Sequence, residues 1–259
     1  MKIAIITPSR GRPKELFRFY ESIKNTMSGQ NRVYFLFGID EDDPAKEDYY
    51  NILRSMLFLA SPNLKVLMTE EKRRPIGKIW NELSRMKSWQ DGPDLFIMGN
   101  DDLVYQTKNW DLIIEEKVLS AEHPFFCYWF EDEINGATHC AFPILTKYWI
   151  SAVGYFAPEC FNFFFHDTWV FDIAKKAGLT RFVPEVVAKH MHFTATGEKM
   201  DSTYKHWRDN DTNNADTLIF KNTEKSRQAT AEMLKERIVM FQNSNKTPNA
   251  ENNSSVPKN

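Results

Sequence analysis

Cysteine is scarce: Cys127, Cys140 and Cys160 are the only three in 259 residues, and no two stand in CxxC spacing. An odd, scattered set excludes a disulfide framework and a zinc knuckle, and it suits a reducing compartment. Long apolar runs are missing as well. None approaches the ~18 residues that a membrane helix needs. The opening Met1-Lys2-Ile3-Ala4-Ile5-Ile6-Thr7-Pro8 is too short an apolar run for a signal peptide. The expectation is a cytoplasmic protein with no membrane span. Neither sign of charge is in excess, since 33 Lys and Arg face 35 Asp and Glu for a net charge of −2. That excludes a strongly basic nucleic-acid binder, though not a local basic cleft. Aromatic residues, in contrast, are plentiful at 14%, which fits stacking surfaces as well as a core. The length suits one domain, or one domain with an appendage, as single α/β domains often reach it.

The first hundred residues alternate between two periodicities. Short apolar runs at 3–7, 33–39, 64–68 and 95–98 read as buried strands. Between them, Leu16, Tyr20, Ile23 and Met27 recur at helical spacing after Pro13, a residue suited to a first helical turn. Residues 49–59 and the set Ile76, Ile79, Leu83 and Met86 read as two more helices. Such alternation predicts an α/β fold with a mostly parallel, doubly wound sheet and a binding crevice at the carboxyl ends of its strands. The second half is less regular. Helices are expected at 110–118 and 167–177, strands at 125–130 and 139–145, and one or two short strands at 182–192 broken at Pro184. A polar helix is expected at 223–241, with an Asn/Ser-rich disordered tail from 243.

Four clusters could carry chemistry. Thr7-Pro8-Ser9-Arg10-Gly11-Arg12-Pro13 runs from a strand end into a helix, where N–H groups, Gly11 and two arginines suit a phosphate. A turn with a proline helix start and solvated arginines would read the same. Gly99-Asn100-Asp101-Asp102 follows an apolar strand; its carboxylates are hard ligands for Mg²⁺ or Mn²⁺, although Asn-Asp turns are common. His190 and His192 would share one face of a strand and could meet one metal ion, or simply be two half-buried histidines. Asp167, after the run Phe163-Phe164-Phe165-His166, could be a general base or merely the N-cap of its helix. Two lesser features are the basic cluster Lys72-Arg73-Arg74 with Lys78, and the acidic stretch Asp40-Glu41-Asp42-Asp43, expected to face solvent apart from one acid.

Taken in order, these motifs resemble a family 2-like glycosyltransferase of the GT-A fold, over roughly residues 1–195. The carriers are the segment from Ile3 to Pro13, Phe37-Gly38-Ile39-Asp40, Phe96-Ile97-Met98-Gly99-Asn100-Asp101-Asp102, His166-Asp167, and Val186 to His192. The resemblance implies transfer of a sugar from a nucleoside-diphosphate donor, usually a UDP-sugar, with Mn²⁺ or Mg²⁺. It implies that Thr7, Pro8 and Arg12, with Ser9 and Arg10, line the nucleotide pocket and that Asp40 contacts the base. Asn100-Asp101-Asp102 is similar to the family's metal-binding DxD element. Asp102 would be the main metal ligand, Asp101 would help hold ribose or metal, and His190 or His192 would complete the shell. Asp167 would deprotonate the acceptor hydroxyl, giving inversion. Arg74 and Lys78 would contact phosphate. The acceptor would be a glycan or a modified DNA base, the latter as in viral or phage enzymes, held in an aromatic half that includes Trp129, Phe130, Trp149, Tyr155, Phe156 and Phe161.

The implied organisation is a catalytic domain at 1–195, divided into a nucleotide half at 1–105 and an acceptor half at 106–195. A helical extension at 196–242 and the tail at 243–259 follow. Asn100 departs from the usual first Asp of the DxD element. Two other readings compete. A nucleotidyltransferase shares the alternating sheet and acidic site but normally has a glycine-rich first turn, whereas here Gly11 stands alone. A nucleotide-sugar-binding protein without turnover would explain Asn100.

Overall fold

A computed structural model describes residues 1–72, 75–85, 92–192, 205 and 212–246. Its chain begins with β1 (Lys2–Pro8), α1 (Pro13–Thr26), β2 (Arg32–Asp40), α2 (Lys46–Leu59), β3 (Leu64–Glu71), α3 (Ile76–Ser84) and β4 (Leu95–Met98). β1 and β4 are nearly continuous runs of buried residues, as strands covered on both faces must be. β2 shows how the cover is divided. Phe35 and Phe37 meet Phe19 and Tyr20 of α1 and Tyr49 of α2. Gly38, of opposite parity, faces Ile79 of α3; a Cβ there would lie 2.9 Å from its Cγ2.

The chain continues with β5 (Leu103–Tyr105), α4 (Trp110–Leu119), β6 (Cys127–Glu131), a 3₁₀ turn (Gly136–Thr138), β7 (Ile144–Thr146), α5 (Lys147–Val153), α6 (His166–Ala177), β8 (Thr180–His190), α7 (Thr212–Asn222) and α8 (Glu224–Lys246). All eight strands join one sheet in the order β3-β2-β1-β4-β7-β6-β8-β5. β3, β2, β1 and β4 run parallel, and so do β6 and β8. The pairs β4–β7, β6–β7 and β5–β8 are antiparallel. The sheet is therefore mixed α/β rather than uniformly parallel, because the second half returns through short reversing strands.

The order places the site. From β1 the chain moves outward to β2 and β3, then crosses back to β4 on the other side of β1. Right-handed crossovers in opposite directions put their helices on opposite faces and open a crevice between β1 and β4 at their carboxyl ends. Ser9 and Gly99 lie just past those ends.

Several local expectations are corrected. The strand expected at 139–145 is only Ile144–Thr146, preceded by a 3₁₀ turn. β8 is continuous through Pro184 because a register shift opposite Phe130/Glu131 takes the missing N–H out of the ladder. The polar helix expected at 223–241 is Glu224–Lys246, which runs on through 243–246 where a disordered tail was expected, and a further helix, Thr212–Asn222, precedes it; residues 247–259 lie outside the described residues. No helix among the described residues is long and apolar enough to cross a membrane.

Candidate active site

The turn after β4 is built on close backbone approach. The Gly99 N–H donates to Ile6 O at 2.9 Å. A Cβ on Gly99 would fall 2.4 Å from the Thr7 hydroxyl, so only glycine lets the turn settle on β1. Thr7 is thus buried beneath the turn, with its Oγ1 unpartnered, rather than exposed as a pocket wall. Pro8 is likewise buried as the last residue of β1. Asn100 shapes the turn, its side-chain oxygen accepting the Asp101 N–H at 3.1 Å.

The two acids that follow are both 3% exposed. The Ser9 hydroxyl donates to Asp101 Oδ2 at 2.6 Å, and Ser9 Oγ lies 2.7 Å from the Tyr49 hydroxyl. A hydroxyl has one proton, so Tyr49 donates to Ser9 and in turn accepts the Arg12 N–H at 2.9 Å. Arg12 spans the pair: Nη1 is 2.9 Å from Asp101 Oδ1 and Nη2 is 3.6 Å from Asp102 Oδ2. His190 arrives because β8 pairs with β5 in the register Leu103↔His190, and its Nε2 sits 3.4 Å from Asp102 Oδ2. The strand stops there. His192 lies beyond it, its ring 5.3 Å from that of His190. The expected sharing of one strand face therefore gives way to two neighbouring rings.

The two carboxyls are driven apart in acidity. Burial pushes Asp101 up against the opposing pull of Arg12, and the charge of Asp102 adds to the rise. Burial also works against the charge on Asp102, but His190, Arg12 and His192 outweigh it and hold that carboxyl below the usual range. Adjacent acids with one guanidinium between them divide in this way.

A divalent cation suits the donor types. Asp102 Oδ1 is buried with no hydrogen-bond partner, and so is His190 Nδ1, while His190 Nε2 faces Asp102 Oδ2. Carboxylate oxygens with an imidazole suit Mn²⁺ or Mg²⁺. Among the described residues, however, no three His, Cys, Asp or Glu side chains stand arranged to hold a metal ion. Arg12 stands among the donors instead.

The phosphate-loop expectation also changes in detail. Gly11, at φ +67°, donates its N–H to Asp43 Oδ2 at 2.8 Å. With the Arg12 N–H on Tyr49, both amides at the loop's end are engaged within the protein. Asp43 is buried, not a solvent-facing acid, and also accepts the Ala45 N–H. Arg10 Nη1 holds Asp40 at 2.8 Å and Asp42 at 2.6 Å. Neither Asp43 nor Tyr49 was legible as a site residue; one lay in an acidic loop and the other on a helical apolar stripe.

Lys78 is exposed on α3, and Arg74 lies outside the described residues. The neighbours of Lys78 are structural. A Cβ on Gly77 would sit 2.2 Å from Pro158 O, and Asn81 Oδ1 accepts the Phe156 and Ala157 N–H groups. Trp129, Phe130, Trp149, Phe156 and Phe161 are core residues, and the Tyr155 hydroxyl accepts the Trp169 indole N–H.

Asp167 is not the N-cap. Phe165 occupies that place at φ 69°, and Asp167 stands in the first turn of α6. Its Oδ2 meets His139 Nε2 at 2.9 Å, a partner 28 residues away that no spacing announced. The segment carrying His139 also carries Phe142, whose ring meets His190 edge-on at 4.9 Å. Three residues span at most ~11 Å, so one short stretch of chain joins the Asp167 pair to the acidic turn. A separate hollow of about 330 Å³, lined by Lys2, Ser84, Asp94, Phe96 and Lys147, lies at the amino ends of the strands, away from these groups.

No family model and no curated protein matches the chain. Solved structures do. The mannosyltransferase PcManGT from Pyrobaculum calidifontis, in complex with GDP-Man and Mn²⁺, superposes with a TM-score of 0.56 at 9% identity over 95% of this chain and 76% of that one. The chain shares the fold of that mannosyltransferase. S. aureus TarS agrees, with a TM-score of 0.53 at 14% identity over 73% of this chain; this chain spans only 37% of TarS. A shorter TarS piece, residues 1–349 in complex with UDP-GlcNAc, gives 0.52 at 13% identity over 77% of this chain and 62% of that piece.

Proposed function

We propose that this chain is a glycosyltransferase that moves a sugar from a nucleoside-diphosphate donor to an acceptor hydroxyl. The observation that carries the reading is the buried Asp101–Asp102 pair. It stands at the strand switch of a glycosyltransferase fold, with Ser9, Arg12 and His190 around it. The solved relatives support the donor class, since they were captured with UDP-GlcNAc and GDP-Man. Asp40, at the end of β2 and paired with Arg10, would read the base.

Asp101, Asp102 and His190 would hold Mn²⁺ or Mg²⁺, which supplies positive charge where the diphosphate leaves. Arg12 adds charge on the same side. Asp167 accepts the acceptor proton. His139 orients the Asp167 carboxylate, its Nε2–H donating to Oδ2. A base on the face opposite the leaving group gives inversion.

The test is turnover of a panel of UDP- and GDP-sugars with MnCl₂, read as released nucleotide. Asp102→Ala should lower release by at least ~100-fold with the fold intact. Asp167→Asn should remove transfer to the acceptor while donor binding persists. Wild-type rates in both variants would refute the assignment, and donor binding without any release would make the chain a binding protein.

A further inference from the structure

We propose that Arg12 is the built-in counter-ion of the acidic turn, and that Arg12 and a divalent cation occupy Asp101 and Asp102 in exchange rather than together. The inference rests on the reading above only for the use of the exchange, not for the exchange itself.

Two adjacent carboxylates this deeply buried require a compensating positive charge. One guanidinium supplies it to both, through separate nitrogens. The remaining Asp101 oxygen is already committed to the Ser9 hydroxyl. A hard cation held by both acids would therefore compete with Arg12 for Asp101 Oδ1, the one Asp101 oxygen that Ser9 does not hold. A guanidinium left within a few ångströms of a divalent ion in a low-dielectric site is strongly repelled. Arg12 can yield. Its side chain is 24% exposed, so the guanidinium can turn toward solvent. Its backbone N–H stays on Tyr49, so the loop need not move with it. Under the glycosyltransferase reading, metal loading would release a guanidinium toward the diphosphate. Binding of the metal and presentation of that cation become one event.

The test uses the full chain and MnCl₂ alone, with no nucleotide, and counts free Mn²⁺ by electron paramagnetic resonance. Arg12→Gln should bind Mn²⁺ at least ~10-fold more tightly than wild type, a change of about 1.4 kcal/mol. Asp102→Ala should lose binding in either background. Thermal unfolding gives a second readout: Arg12→Gln should melt lower than wild type without metal and recover with MnCl₂. Should Arg12→Gln not fold, Arg12→Lys keeps the charge but loses the fork, and should bind Mn²⁺ more tightly than wild type by a smaller factor. Equal or weaker Mn²⁺ binding in the Arg12 variants would overturn the exchange, as would no binding in any form. Wild-type turnover of nucleotide sugars, measured separately, then shows whether the glycosyltransferase reading stands without it.

Discussion

His166 shows how one side chain sets a pH limit on the whole molecule. Its Nδ1–H donates to Pro158 O at 3.0 Å, and its Nε2 is buried with no partner. Trp80 meets the ring edge-on at 5.2 Å. Burial therefore lowers its pKa from 6.5 to about 4, against the weaker upward pull of Asp167. Above about pH 6.5 the ring is neutral in folded and unfolded chains alike. As the pH falls below that value, the unfolded chain takes up a proton that the folded chain refuses until about 4. Stability is lost across this window, by about 3 kcal/mol in all. Urea midpoints at pH 7 and pH 4.5 should show it, and His166→Asn should flatten the difference by about 2 kcal/mol. An unchanged difference in the variant would contradict the assignment. At this same scale the sequence was a partial guide. Asp101, Asp102 and His190 announced themselves by chemistry and by strand-end position. His139, Tyr49 and Asp43 did not, because their roles depend on partners far along the chain.

At the scale of elements, the C-terminal helices act as a brace for the candidate base. Asp216 of α7 is fully buried and accepts the N–H groups of Asn162, Phe163 and Phe164 at 3.0, 3.0 and 2.9 Å. Those residues lead directly into α6 and Asp167. Arg227 of α8 is 3% exposed, donates to Asp172 of α6 at 2.6 Å, and lies over the Phe220 ring. Removing Asp216 takes a fully buried acceptor from three backbone donors, those of exposed Asn162 and half-buried Phe163 and Phe164. Asp216→Ala should therefore cost about 2–4 kcal/mol, read by urea unfolding, and should weaken acceptor transfer more than donor binding. A loss confined to stability, with transfer unaffected in the folded fraction, would show the brace to be structural alone. The extension was legible as helical, but its purpose was not, since a polar helix bears no mark of what it clamps. The first half was legible for a physical reason: buried parallel strands are continuous apolar runs, and the intervening helices carry a 3.6-residue stripe. The second half was not, because β5 and β7 are three residues each, too short for any period to register.

Across the whole molecule, strand order brings sequence-distant side chains to one acidic turn, the candidate site. Crossing back from β3 to β4 brings Ser9 and Asp101, 92 residues apart, to a 2.6 Å hydrogen bond. Pairing β8 with β5 then adds His190 to the same turn. The near-neutral net charge of −2 means that any anionic donor is held by local cations rather than by a global field. The most direct measurement is calorimetric titration of UDP and GDP into the full chain, with and without MnCl₂, and into Asp102→Ala. The expected result is metal-dependent binding of at least one nucleotide by wild type, lost in the variant. Binding of equal strength in the variant, or no binding of either nucleotide with Mn²⁺ present, would contradict a nucleoside-diphosphate site at this turn.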